Sequence, residues 1–202
     1  MKNYICFNGK KVELTTDQVT QMKKSLGIAE VKLSDIPTGE TFKIGEYEFI
    51  VLEQSRDTTT VILKNLLYEK KEFGKSNNYK NSYIDDICND FASDISGFIG
   101  KENLIEHTVD LTADDGLKDY GDIKRKMSLL TANLYRRYIE ILDKYKIDKW
   151  WWTATAYSTP THDDSTWVKC VSPYGSISDN GCSNNNGVRP FCILKSNIFV
   201  SK

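Results

Sequence analysis

Residues 149–191 read KWWWTATAYSTPTHDDSTWVKCVSPYGSISDNGCSNNNGVRPF and hold all four tryptophans of the chain. Three consecutive indoles run straight into small and hydroxyl-bearing residues. Side chains alternate between the two faces of a strand, so the run divides into two sets. Trp150, Trp152, Ala154 and Ala156 share one face, which reads as core: two large rings, then two small residues that admit a neighbouring element. Trp151, Thr153, Thr155 and Tyr157 share the other, which reads as an amphipathic, partly exposed surface. Truncating a buried indole costs ~3–5 kcal/mol, so such a strand anchors a domain. Downstream, WVKCVSPYGSIS predicts a hairpin turning near Pro173-Tyr174-Gly175. GVRPFCIL has apolar residues on both faces and predicts a single central strand late in the chain. Arg189 within it needs an acidic or carbonyl partner if buried, and a structural ion pair is expected ahead of a ligand contact. Pro190 supplies no ladder N–H and belongs at a strand edge or start.

Outward from this stretch, residues 1–30 read as a small unit. Asn8-Gly9 between two strand-like runs signals a hairpin. Thr15 and Gln18 have capping-box spacing, and Val19, Met22, Lys23 and Leu26 give a narrow helical stripe ended by Gly27. Residues 31–67 predict a strand meander punctuated by Pro37, Gly39, Gly45 and Arg56-Asp57. A helix is predicted from Tyr83 to Ile99, with Ser82 and Asp85 closing its first turn. Its buried face is Ile84, Ile87, Cys88, Phe91, Ile95 and Phe98. A second helix follows Thr131 as N-cap, with Leu134, Tyr138, Ile141, Leu142 and Tyr145 inward, and Leu130 and Tyr135 stapling its entry. A long acidic loop lies between the two helices. The order of β-rich, helical and β-rich segments indicates an α+β domain over residues 31–202 rather than a repeating βαβ plan.

The chain has 202 residues and a formal net charge of −1, which excludes bulk electrostatic attraction to nucleic acid or acidic lipid. No apolar run reaches the ~20 residues of a membrane span, and the first residues lack a signal peptide's apolar core. A cytoplasmic protein as synthesised is expected, with virion association left open. Five cysteines without a Cys-x-x-Cys pair argue against a zinc site or a disulfide framework, and most are expected to be buried thiols.

The Trp-Trp strand start, the SPYGSIS hairpin, the Asn/Ser stretch and the closing NGVRPFCIL together resemble the C-terminal half of a bacterial and phage domain of unknown function. DLTADDGLKDYG, SLLTANLYRRY and TFKIGEYEFIVLE also resemble its upstream segments, so the likeness covers about residues 31–200. That family usually has Arg-Ser or Thr-rich residues after Trp-Trp. It is similar to the C-type-lectin-like fold of formylglycine-generating-enzyme relatives and of the variable proteins of diversity-generating retroelements. The resemblance implies a twisted antiparallel sheet, two main helices and a loop-rich C-terminal half. It implies no reaction, because fold does not fix function.

Catalytic readings find little support. The oxidising relatives use a close cysteine pair, whereas Cys182 and Cys192 fall on different predicted elements. His162 beside Asp163 and Asp164 suggests a metal or a general base, but one histidine in a polar loop is more often ordinary surface. Asp110, Asp114, Asp115, Asp119 and Asp122 offer oxygen ligands without an EF-hand spacing, and capping and solvation explain them more simply. No catalytic residue, metal or cofactor is therefore expected. The leading expectation is a non-catalytic recognition module of phage or mobile-element type, binding a protein or glycan through residues 157–186. Its contact residues would be Tyr157, Ser158, Thr159, His162, Asp163, Asp164, Trp167, Tyr174, Asp179, Asn180, Asn184, Asn185 and Asn186, a composition suited to adaptable recognition. The competing explanation is that Ser/Asn/Gly runs simply make turns. Two other classes are an intracellular inhibitor of a host protein, using the N-terminal helix and acidic loop, and an enzyme with an unrecognised site. Neither membrane nor nucleic acid is expected as a partner, and self-association is left open.

Overall fold

The computed structural model describes residues 3–7, 10–25 and 30–202. The N-terminal elements are β1 (Asn3–Phe7), β2 (Lys10–Leu14) and α1 (Thr16–Ser25). They are followed by β3 (Glu30–Lys32), β4 (Thr41–Ile44), β5 (Tyr47–Gln54), β6 (Thr58–Leu63) and β7 (Tyr68–Glu72). After α2 (Tyr83–Ile99) come β8 (Leu104–Ile105), β9 (His107–Asp110), β10 (Asp122–Arg125) and β11 (Met127–Leu129). Short helices α3 (Ala132–Arg137) and α4 (Ile139–Leu142) precede β12 (Trp151–Ala156), β13 (Trp167–Val171) and β14 (Ile177–Gly181). The chain closes with β15 (Asn185–Val188), β16 (Pro190–Lys195) and β17 (Phe199–Ser201).

This is an α+β architecture built mainly from antiparallel sheet. An eight-stranded sheet runs β11-β16-β6-β5-β4-β17-β3, with β8 also pairing β16, and curls into a half-barrel. A five-stranded sheet runs β14-β13-β12-β15-β7, in which β12 and β15 are parallel. The meander of β4, β5 and β6 forms as expected, and so does the β13–β14 hairpin around residues 172–176. β1 and β2 pair antiparallel, while Asn8-Gly9, Leu26 and Gly27 lie outside the described residues. The capping box is present: Thr15 N–H donates to Gln18 Oε1 at 2.9 Å, and Gln18 N–H to Thr15 Oγ1 at 3.3 Å. Among the described residues, no helix is long and apolar enough to cross a membrane.

Period-two alternation sorts the central strands between two cores. Phe49, Val51, Val61, Leu63, Trp152, Ala154, Cys192 and Leu194 join the core under α2. Ile50, Leu52, Ile62, Trp151 and Phe191, their alternates, join a second core with Tyr135, Tyr138 and Leu142 of the α3–α4 segment. Ser82 caps α2 by accepting from Asp85 N–H, and the Asp85 carboxylate, itself buried, takes both Nε and Nη2 of Arg125 at 2.7 Å. That fork ties the first turn of α2 to β10. Phe98 differs from expectation: it lies exposed over the Gly45 turn, where an added Cβ would meet its ring at 2.7 Å.

Several expectations are corrected. Both faces of β12 are buried, because α3 covers the side read as exposed: Tyr135 meets Trp151 edge-on at 5.5 Å. Trp150 precedes the strand and is 43% exposed, so it leaves the core face assigned to it. The second helix is broken at Tyr138, whose φ of −104° and ψ of 13° leave the helical region. Tyr138 Oη donates to Glu53 at 2.5 Å and Tyr145 Oη to the Gly39 carbonyl at 2.8 Å, so each turn is anchored separately to the meander. Its buried stripe also runs through Tyr135, with Leu134 only partly buried.

GVRPFCIL is likewise two strands. The chain leaves the five-stranded sheet at Val188 and enters the eight-stranded sheet at Pro190, which stands at the strand start. Arg189 occupies the crossing, buried. Among the described residues it has no ion-pair partner: Nε donates to the Leu63 carbonyl and Nη2 to the Lys64 carbonyl, each at 2.9 Å. Its guanidinium lies 5.4 Å from the Trp151 ring. Burial pulls its pKa down to about 10, so it stays charged at neutral pH. Backbone oxygens and an indole face thus replace the expected carboxylate.

Candidate functional site

The polar stretch 157–186 is assembled around the end of the five-stranded sheet. Along β13, Val168 and Cys170 point into the core, so Trp167 and Lys169 point outward. The register places Asp179 of β14 beside Lys169 and Gly181 beside Trp167. Tyr157, just past β12, donates its N–H to the Trp167 carbonyl. The outer face therefore gathers Tyr157, Trp167, Lys169 and Asp179. Both aromatic rings are 47% exposed.

Lys169 is the electrostatic centre. Its Nζ lies 3.0 Å from Asp179 Oδ1, 3.4 Å from Asp114 Oδ2 and 5.4 Å from the Tyr157 ring centroid. Desolvation is the largest influence on its pKa and lowers it, but Asp179 and Asp114 together outweigh that and hold the ammonium above its ordinary value. Arg136 of α3 reaches Asp114 at 3.1 Å and extends the network. The result is two charged pairs beside two half-exposed aromatic rings.

The neighbouring loop is held by the acidic segment 111–121. Asp115 Oδ2 accepts from Ser158 Oγ at 2.5 Å and lies 3.0 Å from His162 Nδ1. Asp119 Oδ2 accepts from Thr159 Oγ1 at 2.6 Å and Thr161 Oγ1 at 2.5 Å. The hydrogen bond from Ser158 is the first cause holding Asp115 below the usual carboxylate range, and that from Thr159 does the same for Asp119. A short turn over Pro160–His162 ends at Asp163 in the left-handed region, with φ of 54°. Asp164 Oδ1 then accepts from Thr166 N–H at 2.7 Å and Trp167 N–H at 3.2 Å. Beneath the loop, buried Asn77 donates to the Ser158 and Trp167 carbonyls and accepts from Tyr120 Oη at 2.6 Å. Three chain segments are thus pinned to one amide.

The expected contact residues do not form one surface. Tyr157, Trp167 and Asp179 come together, with His162, Asp163 and Asp164 on the adjoining loop. Ser158 and Thr159 are buried and their hydroxyls face the acidic loop, so they support the site rather than line it. Tyr174 is 86% exposed but sits at the opposite end of the hairpin from Trp167. Asn184 Nδ2 donates to Asn180 Oδ1 at 2.7 Å and Asn180 Nδ2 to Asn186 Oδ1 at 3.2 Å, a chain of amides that shapes the turn. Asn186 is buried, and Asn185 instead lines a separate cleft with Lys70, Lys71 and Tyr83.

Lys169, Arg136 and Asn77 are not among the expected contact residues, and Asp114 is legible only as one of the acidic-loop oxygen ligands. A lysine between two apolar residues in WVKCV signals an outward-facing position; the other three reach the site only through tertiary contacts. Chemically, Ser158 and His162 address the same carboxylate oxygen and not each other, so this is not a serine–histidine relay. Cys88, Cys170, Cys182 and Cys192 are free and buried. Burial raises every one of these thiols, Cys88 and Cys170 to about 12, which leaves none as a ready thiolate. Among the described residues, no group of three or more His, Cys, Asp or Glu side chains is arranged to hold a metal ion.

Comparison with protein-family models, with curated proteins and with solved structures finds no match.

Proposed function

We propose that this chain is a non-catalytic recognition module of phage or mobile-element type, its α+β architecture a C-type-lectin-like variant, and that it binds through the Tyr157–Trp167–Lys169–Asp179 face. The observation that carries the reading is the pairing of two half-exposed aromatic rings with the fixed charges of Lys169, Asp179, Asp114 and Arg136 on a sheet end. Aromatic and arginine side chains on a rigid support are the usual centres of protein interfaces, because they bring large area at small entropic cost. This composition favours a protein partner over a glycan. The loop 158–166 is already ordered by Asp115, Asp119 and Asn77, so little conformational freedom is lost on binding.

The test compares the parent chain with Tyr157→Ala and Trp167→Ala in cross-linking capture from lysate and on a glycan array. Both substitutions leave the melting temperature within a few degrees, since neither ring is in a core. A protein captured by the parent and lost by both variants supports the reading. Equal capture by the parent and both variants defeats it, and array binding lost by both variants transfers the face to a glycan.

A further inference from the structure

We propose that the cleft between α2 and the β9–β10 hairpin is a site for a small phosphorylated ligand, held by Lys101, Lys124 and Lys126. The cleft is an open groove of about 770 Å³ lined by these lysines with Arg125, Glu106 and polar residues of α2 such as Asn89. That volume falls in the range of roughly 300–1,000 Å³ typical of small-molecule sites. It shares no lining residue with the Tyr157–Trp167 face.

Charge decides the ligand class. Arg125 is already matched by buried Asp85. Among the described residues, no carboxylate lies within ion-pair distance of Lys101, Lys124 or Lys126. The lining therefore carries three lysines without a carboxylate partner against one carboxylate, Glu106, on a chain whose net charge is −1. Two of them are oriented by neutral acceptors. Lys124 Nζ donates to Thr108 Oγ1 at 2.5 Å, and Lys126 Nζ to the Lys101 carbonyl at 2.8 Å. Such bonds place the cations without neutralising them, and each ammonium keeps two further donors. Phosphoryl oxygens are the acceptors that match several charged donors around one cleft. An extended polyanion fits less well, because Asp86, Asp90 and Asp94 stand exposed along α2 and repel a backbone that runs beyond the cleft.

Isothermal titration of the full chain at constant ionic strength, with inorganic pyrophosphate and with ADP, tests the site. Binding is expected for the parent chain. It should weaken roughly tenfold for each of Lys124→Gln and Lys126→Gln, the size expected of a lost charge-assisted hydrogen bond. Glu106→Gln should bind more tightly, a gain that no folding defect can imitate. ADP tighter than pyrophosphate assigns the cleft to nucleotides, and equal affinities assign it to the phosphoryl group alone. Absence of binding by either probe overturns the proposal, as does unchanged affinity in the doubly substituted chain. Tighter binding of a single-stranded oligonucleotide than of pyrophosphate overturns the small-ligand assignment.

Discussion

Single residues show how far this fold commits buried polar groups. His107 lies under the sheet, with Nε2 3.0 Å from Ser128 Oγ and its ring 4.8 Å from Phe191. Desolvation lowers its pKa from 6.5 to about 4. Above pH 6.5 the imidazole is neutral in both folded and unfolded chains, and its contribution to stability is fully present. Between pH 6.5 and about 4 the unfolded chain takes up a proton that the folded chain refuses, so stability falls with pH; below that window both forms are charged and the loss stops. The shift corresponds to roughly 3 kcal/mol. Urea denaturation of the parent chain and His107→Gln across pH 4–7 isolates this contribution. The difference between the two curves should slope through the window; parallel curves would show that His107 titrates normally in the fold.

At the scale of elements, β12 differs from its reading because a second layer covers it. Trp152 buries its ring against Phe73, 5.5 Å away, and donates Nε1–H to the Lys71 carbonyl at 2.8 Å. Trp150 stands just outside the strand and half in solvent. Trp152→Ala should therefore cost ~3–5 kcal/mol in chemical denaturation, and Trp150→Ala about 1 kcal/mol or less. Similar losses at both positions would contradict the register of β12. Gly187, paired with Trp151 in the parallel ladder, explains the close approach of β15: a Cβ there would meet Leu66 Cδ1 at 2.4 Å and the Trp150 carbonyl at 3.1 Å. The α2 boundaries and both N-caps match their sequence signals because capping and helical periodicity are local.

For the whole molecule, cooperativity should centre on strands that feed both cores. β5, β6 and β16 each place alternate residues in the α2 core and in the α3–α4 core. β7 and β14 are edges of the five-stranded sheet. Native-state hydrogen exchange should be slowest in β5, β6 and β16, with opening energies close to that of global unfolding, and faster in β7 and β14. Faster exchange in β16 than in the edge strands would mean that the two cores unfold separately. The crossing at Arg189 is one of the covalent links between the sheets, and its guanidinium bonds the carbonyls of Leu63, the last residue of β6, and of Lys64 while lying over the Trp151 ring.

The α+β class, the meander, α2, the β13–β14 hairpin and three capping residues follow from the sequence alone, because each depends on periodicity or hydrogen bonds within a few residues. Layering does not. Whether Trp151 faces water depends on α3, and whether Arg189 meets a carboxylate depends on where Leu63 and Lys64 end β6. The same holds for the candidate site: the aromatic and amide residues of 157–186 are legible as a polar surface, but their division is tertiary. Distant carboxylates at Asp114, Asp115 and Asp119 decide which of those side chains remain outside and which are drawn in, since a buried hydroxyl or ammonium must find its acceptor wherever the chain supplies one.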